Sequence, residues 1–189
     1  ELAVRSSHPD WLVQALERDY PGEAETILEA NNAPAPMWLC VNPRRIARAD
    51  YLAQLEAAGI EASAPQWPAD AIRLATPRSP DSLPGWNEGA CWVQDAAAQL
   101  AVEALAPAPG ARVLDACAAP GGKTAQLASR IDDAGSLVAV DVDARRLRRV
   151  GATLSRVQLS TPQVQLRAGD ATRAETFGDE SAAFDAILV

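Results

Sequence analysis

In the second half of the chain, short apolar runs alternate with segments in which apolar residues recur every three or four positions. The apolar runs are typical of buried strands and the periodic segments of helices. Strands are predicted at 112–117, 136–143, 164–169 and 184–189, with helices at 122–131 and 144–157. This alternation predicts an α/β fold, with a parallel sheet covered by helices on both faces and joined by right-handed crossovers.

The first half of the chain has a different pattern. Residues 8–32 predict two short helices interrupted at Tyr20-Pro21-Gly22, and the sequence APAP that follows is a stiff linker. A strand at 37–42, a helix at 48–59 and a strand at 71–76 predict a small α/β module. A passage rich in proline and glycine then precedes a helix at 95–105. The expected boundaries divide the chain into residues 1–33, 34–80 and 81–189.

The last predicted strand reaches Val189, the final residue of the sequence. In a doubly wound sheet, functional groups follow the carboxyl ends of the strands. We therefore expect the chain to be a piece of a longer protein. The alternative is a short domain that ends on an edge strand.

Composition and charge narrow the class of protein. The 189 residues are 48% hydrophobic and 22% charged, with no apolar run of membrane-spanning length and no N-terminal signal pattern, so we expect a cytoplasmic protein. Three separated cysteines and one histidine give no expectation of a metal site or a disulfide framework. We expect a monomer. The net charge of −8 argues against a simple nucleic-acid coat.

The stretch VLDACAAPGGKTAQLA (113–128) ends its turn in Gly-Lys-Thr, as a phosphate-binding loop does. The phosphate-loop pattern requires a glycine where this chain has Cys117. Pro120 also lacks the N–H that a phosphate cradle would use. A nucleotide hydrolase therefore remains only a weak alternative.

Acidic residues follow three successive predicted strands. Asp115 ends the first strand, Asp141 the second, and Asp170 comes just after the third. An acid at the end of the second strand is the usual acceptor for ribose hydroxyls in nucleotide-binding α/β folds, and Asp170 can reach an adenine edge. Together with a turn of small residues and the lack of a phosphate-binding loop, these acidic positions predict a binding site for S-adenosylmethionine. Asp143, by contrast, is expected to cap the following helix.

These residues resemble the motifs of the RNA cytosine-5 methyltransferases. LDACAAPGGKT resembles their motif I, DVDARRLRRV motif II, GDAT motif III, and FDAILV the approach to motif IV. Upstream, HPDWLVQALERDYPGEAETILEANNAPAPMWLCVN and LPGWNEGACWVQDAAAQLA resemble the bacterial members that act on 16S ribosomal RNA, the Sun/Fmu type. The resemblance covers nearly the whole chain.

The resemblance implies the N-terminal half of a Rossmann-like class I S-adenosylmethionine-dependent methyltransferase domain (81–189), a small α/β RNA-binding subdomain (34–80) and a helical lead-in (1–33). It also implies 16S rRNA as partner. Family members of this type carry a further N-terminal helical domain that is not in this sequence. The donor-binding residues that the resemblance implies are Cys117, Ala118, Ala119, Pro120, Gly121, Gly122, Lys123, Asp141 and Asp170.

The family's catalytic cysteines lie beyond the motifs present in this chain. In the family, a cysteine thiolate attacks C6 of cytosine so that C5 becomes nucleophilic enough to take the methyl group. That cysteine belongs to a later Thr-Cys motif, which we expect beyond Val189, and the fragment alone is expected to be inactive. Cys117 is expected to line the donor pocket, and Cys40 and Cys91 to be buried. A catalytically dead module that binds the donor or RNA is the alternative function.

Two groups of arginines are candidates for contact with RNA. Arg44, Arg45 and Arg48 are predicted to contact phosphates, because a guanidinium group binds phosphate with two hydrogen bonds. Arg145, Arg146, Arg148 and Arg149 are instead expected to form a solvated helix face with local ion pairs to Asp141, Asp143 or Glu56.

Overall fold

The computed structural model describes residues 2–131, 133–177 and 184–189. The chain divides into two compact units, one ending at Ala35 and one running from Pro36 to Val189. The expected boundaries after residues 33 and 80 stay predictions. In the described part of the chain, no helix is both long and apolar enough to span a membrane.

The first unit is helical. Its helices are α1 (Leu2–Ser6), α2 (Asp10–Asp19) and α3 (Ala24–Asn32). The predicted break at Tyr20-Pro21-Gly22 separates α2 from α3. Val13, Ala24 and Leu28 form its buried apolar positions.

The second unit begins with a four-stranded antiparallel sheet. It contains β1 (Met37–Val41), β2 (Ala62–Ser63), β3 (Ala71–Leu74) and β4 (Cys91–Val93), in the order β2-β3-β1-β4, with α4 (Arg48–Ala57) between β1 and β2. Tyr51 and Leu55 of α4 pack on Leu39 and Ile72 of this sheet. A short 3₁₀ helix, Pro80–Ser82, lies between β3 and β4.

A second, parallel sheet follows. Its strands are β5 (Arg112–Asp115), β6 (Ser136–Asp141), β7 (Val164–Ala168) and β8 (Ala186–Leu188), in the order β7-β6-β5-β8. The helices α5 (Ala96–Leu105), α6 (Gly122–Arg130) and α7 (Ala144–Arg156) and a 3₁₀ helix, Ala174–Thr176, complete the unit. The predicted parallel α/β architecture is confirmed.

The two faces of the parallel sheet are covered differently. Val113, Leu137 and Ala139 share one core with apolar residues of α5, α6 and α7. The opposite face, with Leu114, Val138 and Val140, packs against Phe177 and Phe184. The prediction of helices on both faces is therefore met on one face only in the described residues.

The sequence did not predict β4. Cys91–Val93 is only three residues long, and it pairs antiparallel with β1, some fifty residues earlier in the chain. The sheet of the small module therefore takes its edge strand from beyond residue 80. Cys40 and Trp92 of this sheet belong to the same apolar core as α5 to α7, so the two sheets share one core within the second unit.

Candidate functional site

The loop between β5 and α6, residues 116–121, packs tightly against α7. Thr153 Oγ1 donates a hydrogen bond to the carbonyl of Pro120 at 3.3 Å. Gly121 has φ of +107°, and a Cβ at this position would lie 3.0 Å from the Cα of Val150. Both the backbone angle and the close approach require glycine here.

Asp141, at the end of β6, fixes the loop from the other side. Its side chain is almost fully buried; Oδ2 accepts the N–H of Ala119 at 3.2 Å and Oδ1 accepts the N–H of Asp143 at 3.0 Å. Arg146 Nη2 lies 3.6 Å from Asp141 Oδ2 and donates to the carbonyl of Ala119 at 3.3 Å. The carboxylate thus joins the end of β6, the β5–α6 loop and the first turn of α7.

Thr124, the last residue of the Gly-Lys-Thr sequence, is turned towards β5. Its hydroxyl donates to Asp115 Oδ2 at 2.6 Å, and both side chains are buried. Burial raises the pKa of the Asp115 carboxyl, while hydrogen bonds from Thr124 and from the backbone of Cys117 act against that rise. The threonine therefore anchors α6 to the end of β5, a role that a phosphate-loop threonine, which faces the ligand's metal ion, does not have.

Asp170 lies at the end of the next strand and is bound within its own turn. Its Oδ1 accepts the N–H of Thr172 at 2.9 Å and the hydroxyl of Thr172 at 2.7 Å, and these bonds, with Arg173 nearby, lower the pKa of Asp170. One residue earlier, Gly169 donates its N–H to the carbonyl of Asp141 at 3.1 Å. The predicted residues Asp141 and Asp170 therefore belong to adjoining loops at one edge of the sheet.

The groups at this edge suit a polar ligand that carries hydroxyl groups. Each carboxylate oxygen of Asp141 accepts one backbone N–H; Oδ1 keeps capacity for another donor, while Oδ2 also lies 3.6 Å from Arg146 Nη2. The first turn of α6 leaves backbone N–H groups without acceptors inside the helix, which favours a carboxylate there. Cys117 is exposed and Lys123 half-buried beside this turn. The nucleoside and amino-acid parts of S-adenosylmethionine match this set of groups.

Two family models match the chain. The ferredoxin-like domain of the RsmF/B-like methyltransferases matches residues 8–80, and the 16S rRNA methyltransferase RsmB/F model matches residues 102–189. Together they cover most of the chain. The chain belongs to the RsmB/F family. The resemblance found in the sequence motifs is thereby confirmed.

Curated relatives agree with this family. The chain is 45% identical over 187 residues to "Ribosomal RNA small subunit methyltransferase B" of Vibrio cholerae. The alignment covers 99% of the chain and 42% of the relative. The protein of the same name from Pseudomonas syringae is 48% identical over 176 residues, covering 93% of the chain and 39% of the relative. The RsmB/F chain thus spans about two fifths of the length of the curated relatives it matches.

Solved structures share the fold. A methyltransferase homologue from Pyrococcus horikoshii superimposes with a TM-score of 0.82 at 30% identity, covering 100% of this chain and 60% of that one. The structure of NSun6 from the same organism, solved with SFG, has a TM-score of 0.78 at 16% identity, covering 96% and 70%, and supports the fold alone. The predicted class I methyltransferase fold is confirmed. The RsmB/F family consists of S-adenosylmethionine-dependent methyltransferases, so the predicted cofactor is confirmed as well.

The three cysteines occupy two kinds of environment. Cys40 and Cys91 are buried, and burial raises the pKa of Cys40 well above its usual value and that of Cys91 to about 11. Cys117 is exposed in the β5–α6 loop. Cys40 and Cys91 therefore lack the accessible, thiolate-favouring surroundings of a nucleophile.

The structure places Arg44, one of the three arginines predicted to bind RNA, away from the β5–α6 loop. Arg44 Nε donates to the carbonyl of Ser129 at 2.9 Å, and its Nη2 donates to the carbonyl of Ile131. Since α6 begins beside the carboxyl end of β5 and runs back along the sheet, Arg44 lies at the opposite, amino-terminal edge.

The other two residues of this group differ from each other. Arg48 Nη1 donates to the carbonyl of Pro65 at 2.8 Å, so part of its guanidinium group is used within the fold. Arg45 is exposed, and its side chain makes no hydrogen bond or ion pair with the described residues. RNA contact by Arg44, Arg45 and Arg48 stays a prediction.

Sequence reasoning missed a buried glutamine network behind α6. Trp92 Nε1 donates to Gln94 Oε1 at 2.6 Å, and Gln94 Nε2 donates to Gln126 Oε1 at 3.0 Å. A Cβ on Gly122 would lie 3.6 Å from Gln94, so this network supports the start of α6 from below. The one sequence signal for this network is the presence of glutamines among apolar residues. Because surface helices have the same pattern, that signal does not predict burial.

Proposed function

We propose that this chain binds S-adenosylmethionine at the β5–α6 loop, and that the full-length protein transfers its methyl group to C5 of a cytosine in 16S rRNA in the cytoplasm. The family models and the curated relatives named as small-subunit rRNA methyltransferases support this proposal. The motifs of the cytosine-5 enzymes support the choice of base and atom.

The observation that carries the proposal is the position of Asp141. Its buried carboxylate lies at the end of β6 and holds the backbone of Ala119, so the acceptor for a ribose and the small-residue loop form one unit. A phosphate-binding loop needs neither this acid nor this contact.

Each part of the donor has a proposed partner in this chain. Residues 117–123 surround the methionine part, Asp141 accepts the ribose hydroxyls, and Asp170 lies near the adenine. When bound, the donor supplies an electrophilic methyl group. A ribose hydroxyl that binds Asp141 Oδ2 competes there with the Arg146 guanidinium group. Because the Arg146 side chain is 47% exposed, breaking this ion pair costs little free energy.

The nucleophile for C6 is proposed to come from the remainder of the full-length protein. Cys40 and Cys91 are buried with raised pKa values, and Cys117 lies in the donor loop. We propose that Cys117 forms part of the donor pocket wall, and that the 189-residue chain alone transfers no methyl group to rRNA.

Calorimetry with two ligands tests the proposed site. The chain is expected to bind S-adenosylhomocysteine and not ATP, because the loop offers a ribose acceptor but no phosphate cradle. S-adenosylhomocysteine is used since it occupies the site without reacting. If the chain bound ATP and failed to bind S-adenosylhomocysteine, the proposal would be overturned.

Thiol labelling tests the place of Cys117. Iodoacetamide is expected to modify Cys117 in the native chain and to spare the buried Cys40 and Cys91. Saturating S-adenosylhomocysteine should slow the modification of Cys117 at least about fivefold, since the ligand covers the thiol. Mass spectrometry of peptides measures each site, and the Cys117→Ala variant is the control. If the modification rate of Cys117 were the same with and without bound ligand, Cys117 would not be part of the donor pocket.

A further inference from the structure

Three arginines form one face of α7. Arg145, Arg148 and Arg149 stand at positions i, i+3 and i+4, so their side chains lie together on the helix. All three are exposed, while Leu147, Val150 and Leu154 of the same helix are buried. We call Arg145, Arg148 and Arg149 the α7 arginine face.

The α7 arginine face has no acidic partner among the described residues. The nearby acids make other contacts: Asp143 Oδ1 accepts the backbone N–H groups of Arg145 and Arg146, and Asp141 Oδ2 lies 3.6 Å from Arg146 Nη2. Arg148 donates only a 3.4 Å bond to the carbonyl of Ala144. The expected ion pairing of this helix is therefore confirmed for Arg146 but absent for the other three arginines in the described structure.

This arrangement is unfavourable for the isolated chain. Like charges at i, i+3 and i, i+4 destabilise a helix. In a chain with a net charge of −8 and 25 acidic residues, carboxylates are plentiful, yet none pairs with this face in the part described. An anion bound from outside would relieve the repulsion.

The face lies on the side of the molecule where the donor is proposed to bind. Helix α7 begins three residues after Asp141, and its Arg146 reaches the carbonyl of Ala119 in the β5–α6 loop. A nucleotide whose base reached this loop would bring its phosphates near the same edge of the parallel sheet. Arg44, at the opposite edge, has no such position.

We propose that the α7 arginine face binds phosphate groups of the RNA substrate. Arginine suits this partner because its planar guanidinium group pairs with phosphate through two hydrogen bonds. The inference rests on the proposed function, since it takes the substrate to be RNA. It assigns a phosphate contact to Arg145, Arg148 and Arg149, which were expected to form only a solvated helix face.

The test compares two triple variants with equal charge changes. The test variant carries Arg145→Gln, Arg148→Gln and Arg149→Gln. The control carries Arg18→Gln, Arg73→Gln and Arg78→Gln, three exposed arginines that belong neither to the α7 arginine face nor to the predicted phosphate contacts. Fluorescence anisotropy measures the binding of a fluorescein-labelled, cytidine-rich single-stranded RNA to the 189-residue chain over a series of salt concentrations.

The test variant is expected to bind this RNA at least about tenfold more weakly at low salt. The slope of log K against log salt should fall in magnitude by about 2, since each phosphate contact to single-stranded RNA contributes about 0.7. The control should stay within about twofold of the wild type. Replacing the three α7 arginines with lysine, which keeps the charge but not the paired hydrogen bonds, should keep the wild-type salt slope and restore only part of the affinity.

Further measurements separate this inference from the proposed function and from misfolding. Both triple variants should bind S-adenosylhomocysteine as the wild type does, and the α7 variant should unfold at the same or a higher urea concentration, because like charges are removed. The inference is overturned if the α7 variant keeps the wild-type RNA affinity and salt slope, or if the control loses as much RNA affinity as the α7 variant. It is also overturned if the wild type binds S-adenosylhomocysteine but no RNA. Failure of the wild type to bind S-adenosylhomocysteine counts instead against the proposed function.

Discussion

The Asp141→Asn variant is expected to bind S-adenosylhomocysteine at least about tenfold more weakly than the wild type, a loss of about 1.4 kcal/mol or more. Two effects add. The charge that is proposed to accept the ribose hydroxyls disappears, and hydrogen bonds to an ionised acceptor are worth about 1.5–3 kcal/mol. Titration calorimetry measures the change in Kd.

The second effect is structural. In the wild type, one carboxylate oxygen accepts the N–H of Ala119 and the other accepts the N–H of Asp143. An asparagine amide has only one acceptor oxygen, so its NH₂ group would face one of these N–H groups. A buried N–H left without an acceptor costs about 1–3 kcal/mol. The β5–α6 loop should therefore be less well fixed in the variant even without ligand.

Asp143→Asn is the matched control, because it removes the same charge two residues away. The Asp143 side chain caps α7 by accepting the N–H of Arg145 at 2.7 Å. Asparagine caps helices about as well as aspartate. This variant should keep its donor affinity within about twofold and its stability within a few tenths of a kcal/mol. Equal losses in both variants would show that charge near the loop matters and that Asp141 has no special role.

The elements that the sequence predicted well are those with strong local patterns. The apolar runs at β5 and β6 and the periodic helices α6 and α7 were each located to within two residues of their ends. The capping role of Asp143 also follows from local sequence, because the residue precedes a helix and its side chain reaches only nearby N–H groups. These elements are predictable because the residues that determine them lie within a single turn or a single strand.

The features that were missed depend on contacts between distant parts of the chain. The strand β4 has three residues and exists because β1 offers it an edge. Arg44 binds carbonyls of α6 and of the residue after it, more than eighty positions later. Before the fold is known, an exposed arginine that binds phosphate and one that binds a helix end look the same.

The candidate site lies between these two cases. The strand-end positions of Asp115, Asp141 and Asp170 follow from the predicted alternation of strands and helices, since carboxyl ends of parallel strands meet at one edge. Their different partners do not follow from it. Asp115 is bound by the Thr124 hydroxyl, whereas Asp141 is bound by backbone N–H groups of two loops. These differences arise from burial and loop geometry.

The Gly121→Ala variant is expected to be less stable than the wild type by about 2 kcal/mol or more. Alanine is strained at φ of +107°, and its Cβ would lie 3.0 Å from Val150 Cα and 3.3 Å from Val150 Cγ1. Strain at a positive φ exceeds the roughly 0.4–1 kcal/mol that alanine gains in the unfolded state, and overpacking adds about 1–3 kcal/mol. Urea unfolding followed by tryptophan fluorescence measures the loss, since four of the five tryptophans lie in the second unit.

The neighbouring Gly122→Ala variant is the control for this prediction. Gly122 is the first residue of α6, and an added Cβ would lie 3.6 Å from Gln94, an ordinary contact distance. Because alanine favours the helix over glycine, stability should be unchanged or slightly higher. S-adenosylhomocysteine binding should weaken in the Gly121 variant, whose loop must move away from α7. The Gly122 variant is the control for stability alone. If both variants were equally stable, the close packing of the donor loop on α7 would not be what holds the loop in place.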